Sequence, residues 1–454
     1  MKTGQYQKYV DFWQKLTSGS TNRKIFGAAV TVATGTALVK LVAIVKELLV
    51  AWKFGTADAL DAFLMALLIP SFITNVVAGS FNAALIPTYI QVREREGIKA
   101  AQRLFSGATV WSVGLLTIAT ILMLFAAPLY VPRMAAGFSA EKLELTYKLI
   151  GAIAPSVFLS GVITIWSAIL NAGERFALVA LSPIITPAMT AILLLTAHSW
   201  GVFALAGGLV FGAVLEIVIL GWALHLQGIS LMPKWYGFDS NLRQVANQYL
   251  PMIAGAFLMC STGLVDQSMA AMLSPGSVAA LNYGNRVIAL PITIATTALS
   301  TAVIPYFSKM VALEDWANVR HTLKRYLRLI FALTVPLTVF FIVGSEHIVQ
   351  ILFQRGSFTV NDTHIVAKIQ IFFFFQIPFY VANILVVRLI SSMQLNHILM
   401  WVSAGNLLIN ITLNYLFMQG MGINGIALST SCVYVFCFLY ILNAAEKELK
   451  KISK

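Results

Sequence analysis

Charge is scarce in this chain: 11% of its 454 residues are Asp, Glu, Lys or Arg, against about 25% in a soluble globular protein. That scarcity excludes a soluble enzyme, a disordered tail protein and a nucleic-acid-binding domain. Cysteine is rarer still. Cys260, Cys432 and Cys437 are the three present; all fall in apolar runs without metal or redox spacing and read as small core residues. The six histidines lie at run ends or in loops. No phosphate loop of the form G-x-x-x-x-G-K-[ST] occurs, so ATP hydrolysis by that route is excluded. Neither a His/Cys/carboxylate cluster, a nucleophile elbow nor a paired catalytic carboxylate stands out, and no metal or cofactor is expected. The first 24 residues are too polar for a cleaved signal peptide.

What is present is apolar length. Hydrophobic residues make up 59% of the chain and its mean hydropathy is +0.82. A bilayer span needs roughly 20 apolar residues at 1.5 Å each. Twelve runs qualify, near residues 27–52, 60–90, 106–131, 146–171, 177–198, 201–224, 246–272, 278–306, 326–345, 364–392, 398–418 and 422–444. The expected fold is an all-α polytopic membrane protein. Pro70, Pro87, Pro291, Pro305 and Pro378 are expected to break helical hydrogen bonding in the long second, eighth and tenth runs.

The net charge of +13 follows topology. Of the 31 Lys and Arg, 21 lie before the first run, between even and odd runs, or after the last. Excess Lys and Arg marks the cytoplasmic side, so both termini are expected inside. Arg133, Lys142, Lys148 and Arg355 are left to the opposite loops. Within residues 1–25, Tyr6, Tyr9, Val10, Trp13 and Leu16 recur at helical spacing. They fit a short interfacial helix and a solvated extension equally well.

The chain also repeats. Ala83-Ala84-Leu85-Ile86-Pro87-Thr88-Tyr89 and Thr301-Ala302-Val303-Ile304-Pro305-Tyr306-Phe307 each close an apolar run before a basic loop. The same offset carries the first run onto the seventh. Six spans repeated in the same direction form one of the common transporter plans. The expected organisation is an N-lobe over 26–226, a cytoplasmic linker over 227–245, a C-lobe over 246–444 and a basic tail over 445–454.

The remaining chemistry is charge inside the runs. Such residues cost about 2.5–3.5 kcal/mol at mid-bilayer and usually face a bundle interior or a watery cavity. Lys40 lies near the centre of the first run, and Glu47, seven residues on, returns to almost the same face. Lys46 and Lys53 lie nearer the outer end, where snorkelling and a cavity role fit equally. Asp61 opens the second run, Glu216 is in the sixth, Asp266 in the seventh and Arg286 in the eighth. Glu47 and Asp61 read as charge partners of these cations. Glu216 and Asp266 fit coupling-ion sites and structural pairs alike. Cations gathered in the first pairs of both repeats suggest a cavity for an anionic ligand, and Arg suits phosphate through its bidentate fork.

Several segments together resemble the MurJ (MviN) flippases of the multidrug/oligosaccharidyl-lipid/polysaccharide exporter superfamily, which includes the MATE transporters. They are Lys40 through Glu47 with Phe54-Gly55 and Asp61-Ala62-Phe63; Gly79-Ser80-Phe81 with Ile86-Pro87; Asn282-Tyr283-Gly284-Asn285-Arg286 with Leu290-Pro291; and Leu352-Phe353-Gln354-Arg355-Gly356-Ser357-Phe358-Thr359. The resemblance runs along nearly the whole chain. It implies two six-helix lobes and translocation of a polyprenyl-diphosphate-linked glycan, lipid II or an exopolysaccharide unit, across the bacterial cytoplasmic membrane. Alternating access would be driven by Na+ or H+ or by the membrane potential, and cell-wall or polysaccharide synthesis enzymes would be partners. It places the diphosphate at Lys40, Lys46 and Arg286, with Asp61 as the acidic partner.

Departures are visible. Two family arginines are lysines here, and Thr74-Asn75 stands where a double arginine is usual. Ala78 precedes Gly79 where an acid is usual. Twelve spans rather than fourteen bring the chain nearer the exopolysaccharide exporters. An ion-coupled drug antiporter using Asp61, Asp266 or Glu216 is the competing expectation, and a transport-inactive scaffold the third.

Overall fold

The computed structural model describes residues 21–229, 231 and 234–452, with the side chains at 21–26, 28–29, 290, 294, 297–306, 308 and 452 left aside. The expected interfacial helix at Tyr6–Leu16 lies outside the described residues. Among those described, regular structure is entirely helical. This is what a bilayer demands, since a helix satisfies its backbone groups within its own segment.

In chain order the helices are α1 (Thr21–Phe54), α2 (Asp58–Ile73), α3 (Gly79–Arg95), α4 (Ile98–Met134), α5 (Ala140–Ala172), α6 (Phe176–Leu181), α7 (Ile185–Thr196) and α8 (Phe203–Leu226). After residue 239 come α9 (Ser240–Ala271), α10 (Ser277–Ala312), α11 (Trp316–Phe353), α12 (Val360–Phe374), α13 (Gln376–Ser392), α14 (Asn396–Met421) and α15 (Ile423–Ile452). Ten helical segments among the described residues are long and apolar enough to cross a membrane. Helices α1 and α10, 34 and 36 residues long, cover the first and eighth apolar runs.

Proline acts at fewer places than expected. A π-helical turn, Thr74–Ala78, separates α2 from α3 one turn after Pro70. The helix divides at Phe375 just before Pro378. Helices α3 and α10 continue through Pro87, Pro291 and Pro305; one missing N–H removes one bond, and the flanking turns hold the helix. A break that the apolar pattern did not announce lies at Ser182–Ile184, a 3-10 turn containing Pro183 that divides α6 from α7.

The contacts group the described residues into two units, the first within 21–50, 73–126 and 148–253, the second within 51–72, 127–147 and 254–452. In the first, Phe81, Trp111 and Tyr249 meet edge to face, and Phe238 adds to Trp111. The Tyr249 hydroxyl donates to the Val77 carbonyl of the π turn at 3.2 Å. Gly208 and Gly212 face Thr190 and Thr186 of α7, where a Cβ would collide. The GxxxG thus serves close helix packing.

In the second unit, Tyr283, Phe353 and Phe358 cluster, as do Phe331, Phe379 and Phe438. Helix α12 opens with a capping box in which Thr359 and Asp362 bond each other's backbone N–H. Cys260, Cys432 and Cys437 are free thiols.

Candidate functional site

The most fully built polar site lies in the second unit, around Asp61 in the first turn of α2. Its side chain is 1% exposed. Oδ1 accepts from the Ala279 amide at 2.8 Å, and Oδ2 from the Gly276 amide at 2.8 Å. The carboxylate therefore caps the start of α10, where unpaired N–H groups and the helix dipole favour a negative charge. Gly276 has φ of 83° and sits against Thr56, where a Cβ would collide with the backbone. Only glycine takes that conformation in that space without strain.

Lys142 completes the cluster. Its Nζ donates to Asp61 at 2.8 Å and to Asp58 at 2.5 Å, and lies over the Phe138 ring at 4.1 Å. The sequence left Lys142 among the outer loops; the structure puts it on α5, 7% exposed. The signal that could have found it is Asp58 and Asp61, a pair at i,i+3 opening a buried helix and requiring a cation.

Nearby bonds tie the same strand of chain down. Thr56 donates to Asp362, Tyr283 to the Gly55 carbonyl at 3.1 Å, and the Ser357 amide to the Trp52 carbonyl at 2.8 Å. The motif residues around Gly55, Tyr283 and Gly356–Phe358 thus meet within one unit. Arg286, one turn beyond Asn282, is exposed, and its Nε donates to Asn282 Oδ1 at 3.3 Å.

A second polar site in this unit surrounds Asp266. The amides of Asn410 and Asn414 donate to Oδ1 at 3.0 and 2.6 Å, and the Thr430 hydroxyl to Oδ2 at 3.3 Å. Both asparagines are buried, and Asn414 Oδ1 has no hydrogen-bond partner among the described residues. Sequence reasoning missed these three, although Asn410 and Asn414 at i,i+4 in an apolar helix mark one polar face.

In the first unit, Lys46 pairs with Glu47 at 2.6 Å, while Lys40 is exposed on the same helix. Glu216 is buried on α8, and Ser182 donates to it at 2.8 Å. Asp61 therefore takes Lys142, not one of the predicted cations, as its partner. Among the described residues no group of three or more His, Cys, Asp or Glu could hold a metal ion.

The sequence profile described as "Lipid II flippase MurJ" matches residues 50–454. The chain belongs to this MurJ family. It is similar to a probable lipid II flippase MurJ from Synechocystis, 26% identical over 94% of this chain and 83% of that one. A probable lipid II flippase MurJ from Thermotoga maritima is 25% identical over 92% and 86%. Among solved structures, a lipid II flippase MurJ in an inward closed conformation superposes with a TM-score of 0.80 at 24% identity, over 93% of this chain and 90% of that one. An inward-facing multidrug resistance MATE transporter of the MOP superfamily gives 0.76 at 12% identity, over 94% and 99%. The protein has the MurJ and MATE fold and is a multi-pass membrane transporter.

Proposed function

We propose that the protein flips a polyprenyl-diphosphate-linked glycan precursor across the bacterial cytoplasmic membrane, and that the precursor is lipid II or a near relative. The observation that carries this reading is the MurJ family match over residues 50–454. The drug-antiporter alternative rests on fold likeness to MATE transporters at 12% identity and is the weaker reading. The two repeats, 26–226 and 246–444, would act as the moving lobes, with both termini cytoplasmic.

Lys40, Lys46 and Arg286 would hold the diphosphate. Two lysines supply charge without a fork, so Arg286 would supply the bidentate contact. Its exposure leaves the guanidinium within reach of an anion. Asp61 would then act through the α10 cap rather than on the ligand.

Asp266 would carry the coupling ion. A carboxylate, two amides and a hydroxyl form a set that suits a hard monovalent cation. The orphaned Asn414 oxygen gives such an ion a further ligand, and turning either amide presents another. Na+ fits this set; H+ would need only the carboxylate. Glycan synthesis enzymes that supply or use the lipid would be partners.

The deciding experiment is mass spectrometry of lipids co-purified with wild-type protein and with Arg286→Ala. A polyprenyl-diphosphate glycan present in the first and lost from the second supports the reading, and its sugar mass identifies the precursor. Bulk phospholipid alone in both samples overturns it.

A further inference from the structure

The first unit contains a buried acid that lipid binding does not use. Glu216 is 4% exposed, and no ion pair to it is found among the described residues. Helices α6 and α7, against which it lies, contain no Lys, Arg, His, Asp or Glu over residues 176–196. On its own helix the other titratable group is His225, nine residues on. Helix α1, which meets Ala180 at Gly35, carries Lys40 and the paired Lys46 and Glu47, besides Arg23 and Lys24 at its start and Lys53 at its end. Helix α5, which meets Gly221 through Trp166, carries only Lys148 in this unit. The bond to the Glu216 carboxylate comes from a neutral hydroxyl, Ser182 Oγ at 2.8 Å.

That hydroxyl has a second acceptor in reach. Pro183 has no N–H to give to the Val179 carbonyl four residues before it, and Ser182 Oγ lies 3.5 Å from that carbonyl oxygen. One hydroxyl proton thus stands between two acceptors, the Glu216 carboxylate and the carbonyl at the 3-10 break. An ionised carboxylate is the stronger acceptor and takes it. A protonated Glu216 has its own O–H to donate to Ser182 Oγ, which frees the serine proton to turn to Val179.

We propose that Glu216 and Ser182 form a proton-binding site whose occupancy sets the helix break at Pro183. Proton uptake makes one O–H bond on the carboxylate and breaks one on the hydronium that delivers the proton, releasing water. The Ser182 hydroxyl rotates to the Val179 carbonyl, closing the turn between α6 and α7. Release of the proton draws the hydroxyl back to the carboxylate and reopens the turn. A buried charge with a single neutral donor is costly in an apolar interior, and a proton is the ligand that removes it. Gly208 and Gly212 hold α7 closely against α8, so a change at Ser182–Ile184 is passed to the outer half of the hairpin. This inference deepens the ion-coupled reading above by adding a proton site distinct from the cation site at Asp266.

The test is infrared difference spectroscopy of the full-length protein in lipid vesicles between acidic and alkaline pH. Wild-type protein should lose a protonated-carboxyl stretch on alkalinisation. Glu216→Gln, which is neutral and nearly isosteric, should lack that band. Ser182→Ala should keep it at a shifted frequency. Stimulation of lipid flipping by a proton gradient should fall to unity in Glu216→Gln. A band unchanged in Glu216→Gln overturns the site whatever transport does. A band lost in that variant, with no flipping by the wild type, upholds the proton site and sinks the flippase reading.

Discussion

Asp61 and Lys142 are 81 residues apart in sequence and 2.8 Å apart in the fold. Each is almost wholly buried. The pair is joined to the N-terminus of α10 by the two amides that Asp61 accepts. Three separate stretches of chain within the second unit therefore depend on one carboxylate.

Lys142→Met is expected to leave Asp61 buried with its charge uncompensated. Breaking a buried pair from one side costs about 3–5 kcal/mol, and the two backbone bonds keep this case near the lower end. Thermal unfolding in detergent should show a clear drop for Lys142→Met. An unchanged midpoint would show that the lysine contributes nothing.

Gly276→Ala should be destabilising for two reasons at one position. Its φ of 83° is strained for alanine, and the new Cβ would meet Thr56. Strain of this kind costs about 1–3 kcal/mol. Hydrogen exchange should rise at the amides of 276–279, because the same shift loosens the Asp61 cap. Exchange confined to other segments would contradict the assignment.

Arg286→Ala should reduce co-purified lipid by about 10–100-fold, the equivalent of the about 1.5–3 kcal/mol of a charge-assisted hydrogen bond. Arg286→Lys should recover part of the binding, since it restores charge without the fork. Protein level and melting should match wild type in both. Full lipid retention in Arg286→Ala would remove this residue from the site.

Asp266→Asn is expected to abolish the dependence of flipping on a cation gradient while leaving lipid retention near wild type. Radiolabelled Na+ binding to the purified protein checks it directly. Equal Na+ binding by wild type and variant would place the coupling ion elsewhere.

Much of the architecture could be read from periodicity and charge because the bilayer is a severe solvent. Each apolar run of about 20 residues has one stable solution, a helix, and the helices observed begin and end close to those runs. Pro378 signalled its break because a missing N–H acts locally. Pro183 was equally local in kind, yet its consequence depends on Ser182 and on Glu216, which lies on another helix. Pro87, Pro291 and Pro305 show the opposite case, where intact flanking turns carry the helix past a missing bond.

The sequence by itself determined that the chain is helical and membrane-spanning, and its motifs pointed to the MurJ family. Those properties follow from composition, spacing and local patterns. Only the tertiary structure decided that Asp61 takes Lys142 and the start of α10, that Asp266 takes Asn410, Asn414 and Thr430, and that Glu216 takes Ser182. A buried charge is satisfied by whichever polar group packing brings within about 3 Å, and one chain of 31 cations and 18 acids offers many pairings that spacing alone cannot rank.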